Sequence, residues 1–194
     1  MAKRRQAAKV EKIDAAVADA AKPWAGTRAV KAVSLLSEVG DQPQMRTLCA
    51  AVIAAGLAGG DRRLAKAGAR MLAAHTLATF AKNFIKRRID RTRPRSKDRK
   101  GGDHRIAPGR SEAKEETSFP SGHAAGAAAV ARAFVRDYPE HAAAAYAAAG
   151  AVALAQIPRS AHYPTDIGAG IALGAAAETL IDAAFKLLDP TPDP

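Results

Sequence analysis

Alanine fills roughly a quarter of this chain, and because it is the strongest helix former and a poor strand former, it points away from sheets. It comes in long stretches nearly free of charge. Residues 48–60 carry no charge, 67–85 only Arg70 and Lys82, 122–135 only Arg132, and 141–157 are almost wholly apolar. A fifth stretch, 166–188, places Gly168, Gly170 and Gly174 at spacings that suit close helix packing. The expected fold is an all-α bundle of roughly five to six helices with functional loops gathered at one end.

Breakers divide the chain. Pro23 and Gly26 end a charged segment at 1–22, which reads either as a solvated helix or as a basic tail. A short amphipathic helix is expected over 27–38, ended by Gly40 and Pro43, and 61–66 is charged ahead of a helix expected over 67–85. Residues 86–116 hold most of the basic charge, several Gly and Pro, and no apolar periodicity. They read as a long loop, and long loops in compact domains serve function or stay disordered. The expected organisation is a tail at 1–22, a helical domain at 23–188 and a short tail at 189–194.

The apolar stretches are short for a bilayer, which asks for roughly 20 residues per helix. Small residues pack helices closely and flanking charges snorkel, so a membrane-embedded bundle is expected, with a soluble bundle as the alternative. The mean hydropathy of -0.16 suits a soluble chain, but the charge is unevenly distributed. If 48–60 and 67–85 each cross once, the basic N-terminus and the basic loop share one side. The positive-inside bias makes that side cytoplasmic, giving a multi-pass inner-membrane protein whose site faces the cytoplasm.

Thirty Lys and Arg against nineteen Asp and Glu leave a net charge of +11, which favours polyanionic partners. Nucleic acid is not expected, because the basic loop lacks interleaved aromatics for base stacking. The single cysteine, Cys49, excludes an intrachain disulfide and reads as a small buried hydrophobe. His75 reads as packed, His104 as solvated and His141 as a surface residue. Trp24 reads either as an interfacial or as a core residue.

Three clusters carry chemistry. Lys86 stands seven positions before Arg93-Pro94, and a lysine point charge beside a planar guanidinium suits phosphate oxygens. Ser121-Gly122-His123 opens a helix. There Ser121 caps and contacts an anion, Gly122 allows close backbone approach, and His123 can give a proton to a leaving oxygen. His162 precedes Asp166 by four residues, so a carboxylate can fix the imidazole tautomer and leave the other nitrogen as nucleophile.

Together the clusters resemble the type 2 phosphatidic acid phosphatase family, which shares its fold with the vanadium haloperoxidases. The family pattern is K-x6-R-P, then P-S-G-H, then S-R-x5-H-x3-D, and the resemblance spans about residues 45–185. It implies that Lys86, Arg93, Ser121 and the Gly122 amide hold phosphate. His162 attacks phosphorus with Asp166 behind it, and His123 protonates the leaving group. It also implies no metal or other cofactor, and a lipid phosphate substrate at a membrane. One departure stands out. The Ser-Arg of the third motif is replaced by Ala155 and Gln156, so Gln156 brings a hydrogen bond but no charge. Arg159, three residues on, is the expected substitute if the local backbone is helical. A catalytically weak lipid- or phosphate-binding homologue and a vanadate-dependent haloperoxidase are the competing functions.

Overall fold

A computed structural model describes residues 2–96 and 106–188, so His104 lies outside the described residues. The main helices are α1 (Ala2–Ala21), α2 (Arg28–Ser37), α3 (Gln42–Gly59), α4 (Arg62–Lys86), α5 (Gly122–Asp137), α6 (Ala142–Leu154) and α7 (Pro164–Leu188). The long loop forms one short antiparallel pair, β1 (Ile89–Arg91) with β2 (Ile106–Pro108), in which Asp90 faces Ala107. The all-α expectation holds.

Helix α5 is the centre, packed against α4, α6 and α7. Its buried face is mostly alanine, so its neighbours approach closely. Gly170 and Gly174 extend this on α7. A Cβ on Gly170 would lie 2.5 Å from the Ser121 carbonyl oxygen, and one on Gly174 would run into the Ala125 carbonyl. Gly168 faces open space and takes no part in that contact. Gly174→Val is expected to cost about 1–3 kcal/mol by forcing α5 and α7 apart. Thermal unfolding measures it, and an unchanged midpoint would refute the packing argument.

Several boundaries differ from the sequence reading, each for a local reason. Helix α3 starts earlier than expected because Pro43 sits in its first turn, where a missing N–H costs nothing. Helix α4 starts at Arg62, ahead of the expected start at 67, and takes in the charged residues there. The Asp61 side chain accepts from the Leu64 N–H at 2.9 Å and starts the helix there. The segment at 1–22 is not a wholly solvated tail: within α1, Asp14 and Ala18 are buried. Cys49 and His75 are buried, while His141 and Trp24 are exposed, Trp24 at 64%.

Several charged groups are buried inside the bundle. Arg70 on α4 is buried and binds Asp182 at 2.8 Å, with Asp137 at 3.5 Å. Glu178, 1% exposed, takes Arg132 and Arg136 at 3.0 and 2.8 Å. The outward faces of α3 over 47–59, α6 over 142–154 and α7 over 168–184 carry no charged side chain. No helix among the described residues is long and apolar enough to cross a membrane.

Candidate active site

The C-terminal end of α4 meets the N-terminal ends of α5 and α7. There the Ser121 N–H donates to the Asp166 carbonyl at 3.0 Å, tying the two helix starts together. Both helix dipoles therefore present their positive ends to the same space, a setting that favours an anion.

Lys86 closes α4, and its ammonium donates to the Thr117 carbonyl. Arg93 donates through Nε to the Lys114 carbonyl at 2.6 Å and through Nη1 to that of Ala161 at 3.1 Å. Its Nη2 donates to the Thr117 carbonyl at 3.4 Å. Neutral carbonyls thus position both cations without cancelling their charge. Burial, with repulsion from Arg93 and Lys82, lowers Lys86 to about 7. Burial and Arg95 lower Arg93 to about 10. A site that depresses its own cations gains most when an anion enters.

Ser121 caps α5, its Oγ accepting from the Ala124 N–H at 3.4 Å. A Cβ on Gly122 would meet Lys82, whose Cδ would lie 3.1 Å away and whose Nζ 3.6 Å away. Glycine there admits the Lys82 side chain. Lys82 is buried one turn before Lys86 on the same face of α4. The i, i+4 spacing was its signal in the sequence.

His162 is 4% exposed, with Nδ1 3.6 Å from Asp166 Oδ2, wider than a hydrogen bond. Burial lowers its pKa to about 4 against the opposing pull of Asp166, so the ring is neutral at pH 7. Asp166 has both oxygens engaged. Oδ1 accepts from Arg91 Nη1 at 2.5 Å, and Oδ2 accepts from the Tyr163 N–H at 2.9 Å. Burial works against its charge, but His162 and Arg91 outweigh that and hold its pKa below the usual carboxylate range.

His123 stands in the first turn of α5, with Nε2 2.9 Å from Asp41 Oδ1 at the start of α3. The contact is close but not aligned as a hydrogen bond. Burial lowers the His123 pKa, Asp41 raises it, and Arg159, Arg93 and Lys82 lower it further. Asp41 and Arg91 belong to no motif quoted above, and nothing in their spacing marked them.

Arg159 does not share a helix face with Gln156, because α6 ends at Leu154 and 155–160 form successive turns. Its Nη1 instead binds Ser37 Oγ and the Ser34 carbonyl, the latter at 3.4 Å, which docks it on α2. Gln156 is buried, and its Nε2 donates back to the Val152 carbonyl at 3.1 Å. Its own carbonyl accepts from the N–H groups of Ala161 and His162, at 3.1 and 3.4 Å, shaping the turn before the histidine. Among the described residues, no group of three or more His, Cys, Asp or Glu could hold a metal ion.

A family model described as the PAP2 superfamily matches residues 67–186. No curated protein matches the chain. A solved structure from Bacillus subtilis, described as the first transmembrane PAP2-type phosphatidylglycerolphosphate phosphatase, is similar at TM-score 0.69. The two share 18% identity over 95% of this chain and 90% of that one, a likeness of fold. The family model spans well over half the chain and all three motifs, so this protein belongs to the PAP2 superfamily and is a phosphatase.

Proposed function

We propose that the protein hydrolyses a phosphate monoester or diphosphate of a lipid through a phosphohistidine. The observation that carries this reading is the convergence of Lys86, Arg93, Ser121, His123 and His162 at one end of the bundle. His162 Nε2, the nitrogen away from Asp166, attacks phosphorus. His123 protonates the leaving oxygen as its bond to phosphorus breaks. Water then attacks the phosphohistidine, His123 takes its proton, and inorganic phosphate leaves. Lys86, Arg93, the Ser121 hydroxyl and the Gly122 amide hold the equatorial oxygens, and these fixed charges let the reaction run without a metal. Arg159, with Lys82, brings positive charge beside His123 in place of the arginine that Gln156 replaces.

Two features favour a lipid substrate. The outward faces of α3 over 47–59, α6 over 142–154 and α7 over 168–184 are free of charge while the Arg70–Asp182 pair and the Glu178 carboxylate are buried, which suits apolar surroundings. A cleft of about 510 Å³ at the site end of α4 sets exposed Phe80 and Phe84 beside Arg87, Arg88 and Arg110. Aromatic rings next to arginines match the boundary between acyl chains and anionic headgroups. Both features support action at a membrane, and we take it to be the inner membrane with the site towards the cytoplasm, where the positive-inside bias would put the basic loop. Phosphatidic acid, phosphatidylglycerol phosphate and polyprenyl phosphates or diphosphates are the candidate substrates.

The test is phosphate release from that panel in detergent. Wild type should release phosphate from at least one lipid, and release from none sinks the reading. In the same assay Arg159→Ala and Lys82→Ala should each lower turnover. Unchanged turnover and phosphate affinity in either removes that residue from the site.

Lys86 gives a pH prediction. Its folded pKa of about 7 lies below the ordinary lysine value, so the free site loses this charge as pH rises through 7. Inorganic phosphate should bind wild type less tightly at pH 8 than at pH 6, beyond any change seen with Lys86→Arg. The ratio of the two affinities should shift by about tenfold, from the protonated fractions at the two pH values. Calorimetric titration measures it, and parallel pH profiles would count against the assignment.

A further inference from the structure

The N-terminal helix reaches the nucleophile through a chain of ion pairs. Asp14, on α1, is 2% exposed, and its Oδ2 accepts from Arg91 Nη2 at 2.6 Å. The other arm of the same guanidinium, Nη1, donates to Asp166 Oδ1 at 2.5 Å and to Thr165 Oγ1 at 2.7 Å. Asp14 also binds the start of α7 directly. Its Oδ1 accepts from the Thr165 N–H at 3.1 Å, and the Thr165 hydroxyl donates to its Oδ2. Arg91 lies over the Tyr163 ring at 4.4 Å, and the Tyr163 N–H holds the second oxygen of Asp166.

We propose that Asp14 is a positioning residue for the nucleophile, fixing the Asp166 carboxylate that faces His162 by holding the far arm of Arg91. The inference rests on the phosphohistidine reading of the site. It adds a segment that lies outside the matched region of 67–186.

Burying three charges is costly unless each has its partners, so this cluster is an expensive way merely to attach a helix. Geometry explains what it does. A guanidinium facing Asp166 alone is free to swing into a bidentate pair and draw the carboxylate away from His162. With Nη2 engaged by Asp14, Arg91 holds Asp166 through Nη1 on Oδ1, and Oδ2 stays turned to the histidine. Asp14 meanwhile binds the residue just before Asp166, so the backbone that carries the carboxylate is fixed as well. Chain order gives no hint of this, since 77 residues separate Asp14 from Arg91.

Asp14→Asn is the test, because it removes the charge and keeps the shape. In the full-length protein, kcat on a lipid phosphate should fall about tenfold with KM within twofold. The imidazole nitrogen resonances of His162 should move towards a mixed tautomer. In an Asp166→Asn background the same change should lower kcat less than twofold, because its route of action is already gone. A similar fall in kcat in both backgrounds, or unmoved His162 resonances, overturns the proposal. If Asp14→Asn does not fold, Thr165→Val keeps every charge and removes two bonds of the cluster. It should lower kcat several-fold and move the same resonances, and wild-type values for both overturn the idea. Wild type that releases no phosphate from any lipid refutes the phosphatase reading instead.

Discussion

His162→Ala is expected to lower phosphate release from the preferred lipid by at least about 10⁴-fold, because the nucleophile is lost while the phosphate cradle stays. Lys86, Arg93 and the two helix starts would still bind phosphate, so the loss should fall on kcat more than on KM. The physical basis is the state of the ring. Burial keeps the imidazole neutral at pH 7, so the attacking lone pair is available without prior loss of a proton. A rapid acid-free quench should trap phosphate on His162 of the wild type, read by mass spectrometry, and none on the variant. His123→Ala provides the complement. It should be slow on lipid alcohols, which need a proton to leave, and much less impaired on p-nitrophenyl phosphate, which does not. Phosphate trapped on another residue of the His162 variant would overturn the mechanism.

Asp166→Asn should cost about 10³- to 10⁴-fold in kcat, the scale seen when a carboxylate behind a catalytic imidazole becomes an amide. Here Asp166 faces Nδ1 at 3.6 Å while Arg91 and the Tyr163 N–H occupy its oxygens. An amide cannot favour the Nδ1–H tautomer in the same way, and its NH₂ would oppose either Arg91 or Tyr163. The variant must be compared at equal folded fraction, judged by circular dichroism, because Arg91 also loses a charged partner. A folded Asp166→Asn protein within tenfold of wild-type kcat would show that the carboxylate does not set the nucleophile.

Much of this was legible beforehand, and for identifiable reasons. Alanine runs announced helices because propensity accumulates over many residues. Lys86, Arg93, Ser121, His123, His162 and Asp166 were legible because three short motifs hold them at fixed spacings. Other positions could not be read. Arg159 would share a face with Gln156 at i, i+3 spacing only on a helix, and 155–160 form turns. The start of α4 at Arg62 is obscured by the charges at 61–66, although Asp61 is a good cap. Gly168 shares the spacing of Gly170 and Gly174, yet it faces open space, because which side of α7 meets α5 is set by packing.

Helical class, family and the positions of the six motif residues can be read from the linear chain, since local propensity and spacing are properties of the chain. Which charges stand next to one another depends on the folded arrangement. It placed Lys82 against Gly122, Asp41 against His123, and Asp14 through Arg91 behind Asp166. Contacts between residues dozens of positions apart depend on how helices dock. In this bundle docking is governed by small residues, such as the alanines of α5 and Gly170 and Gly174 of α7, whose packing consequences appear only once the partner helix is in place.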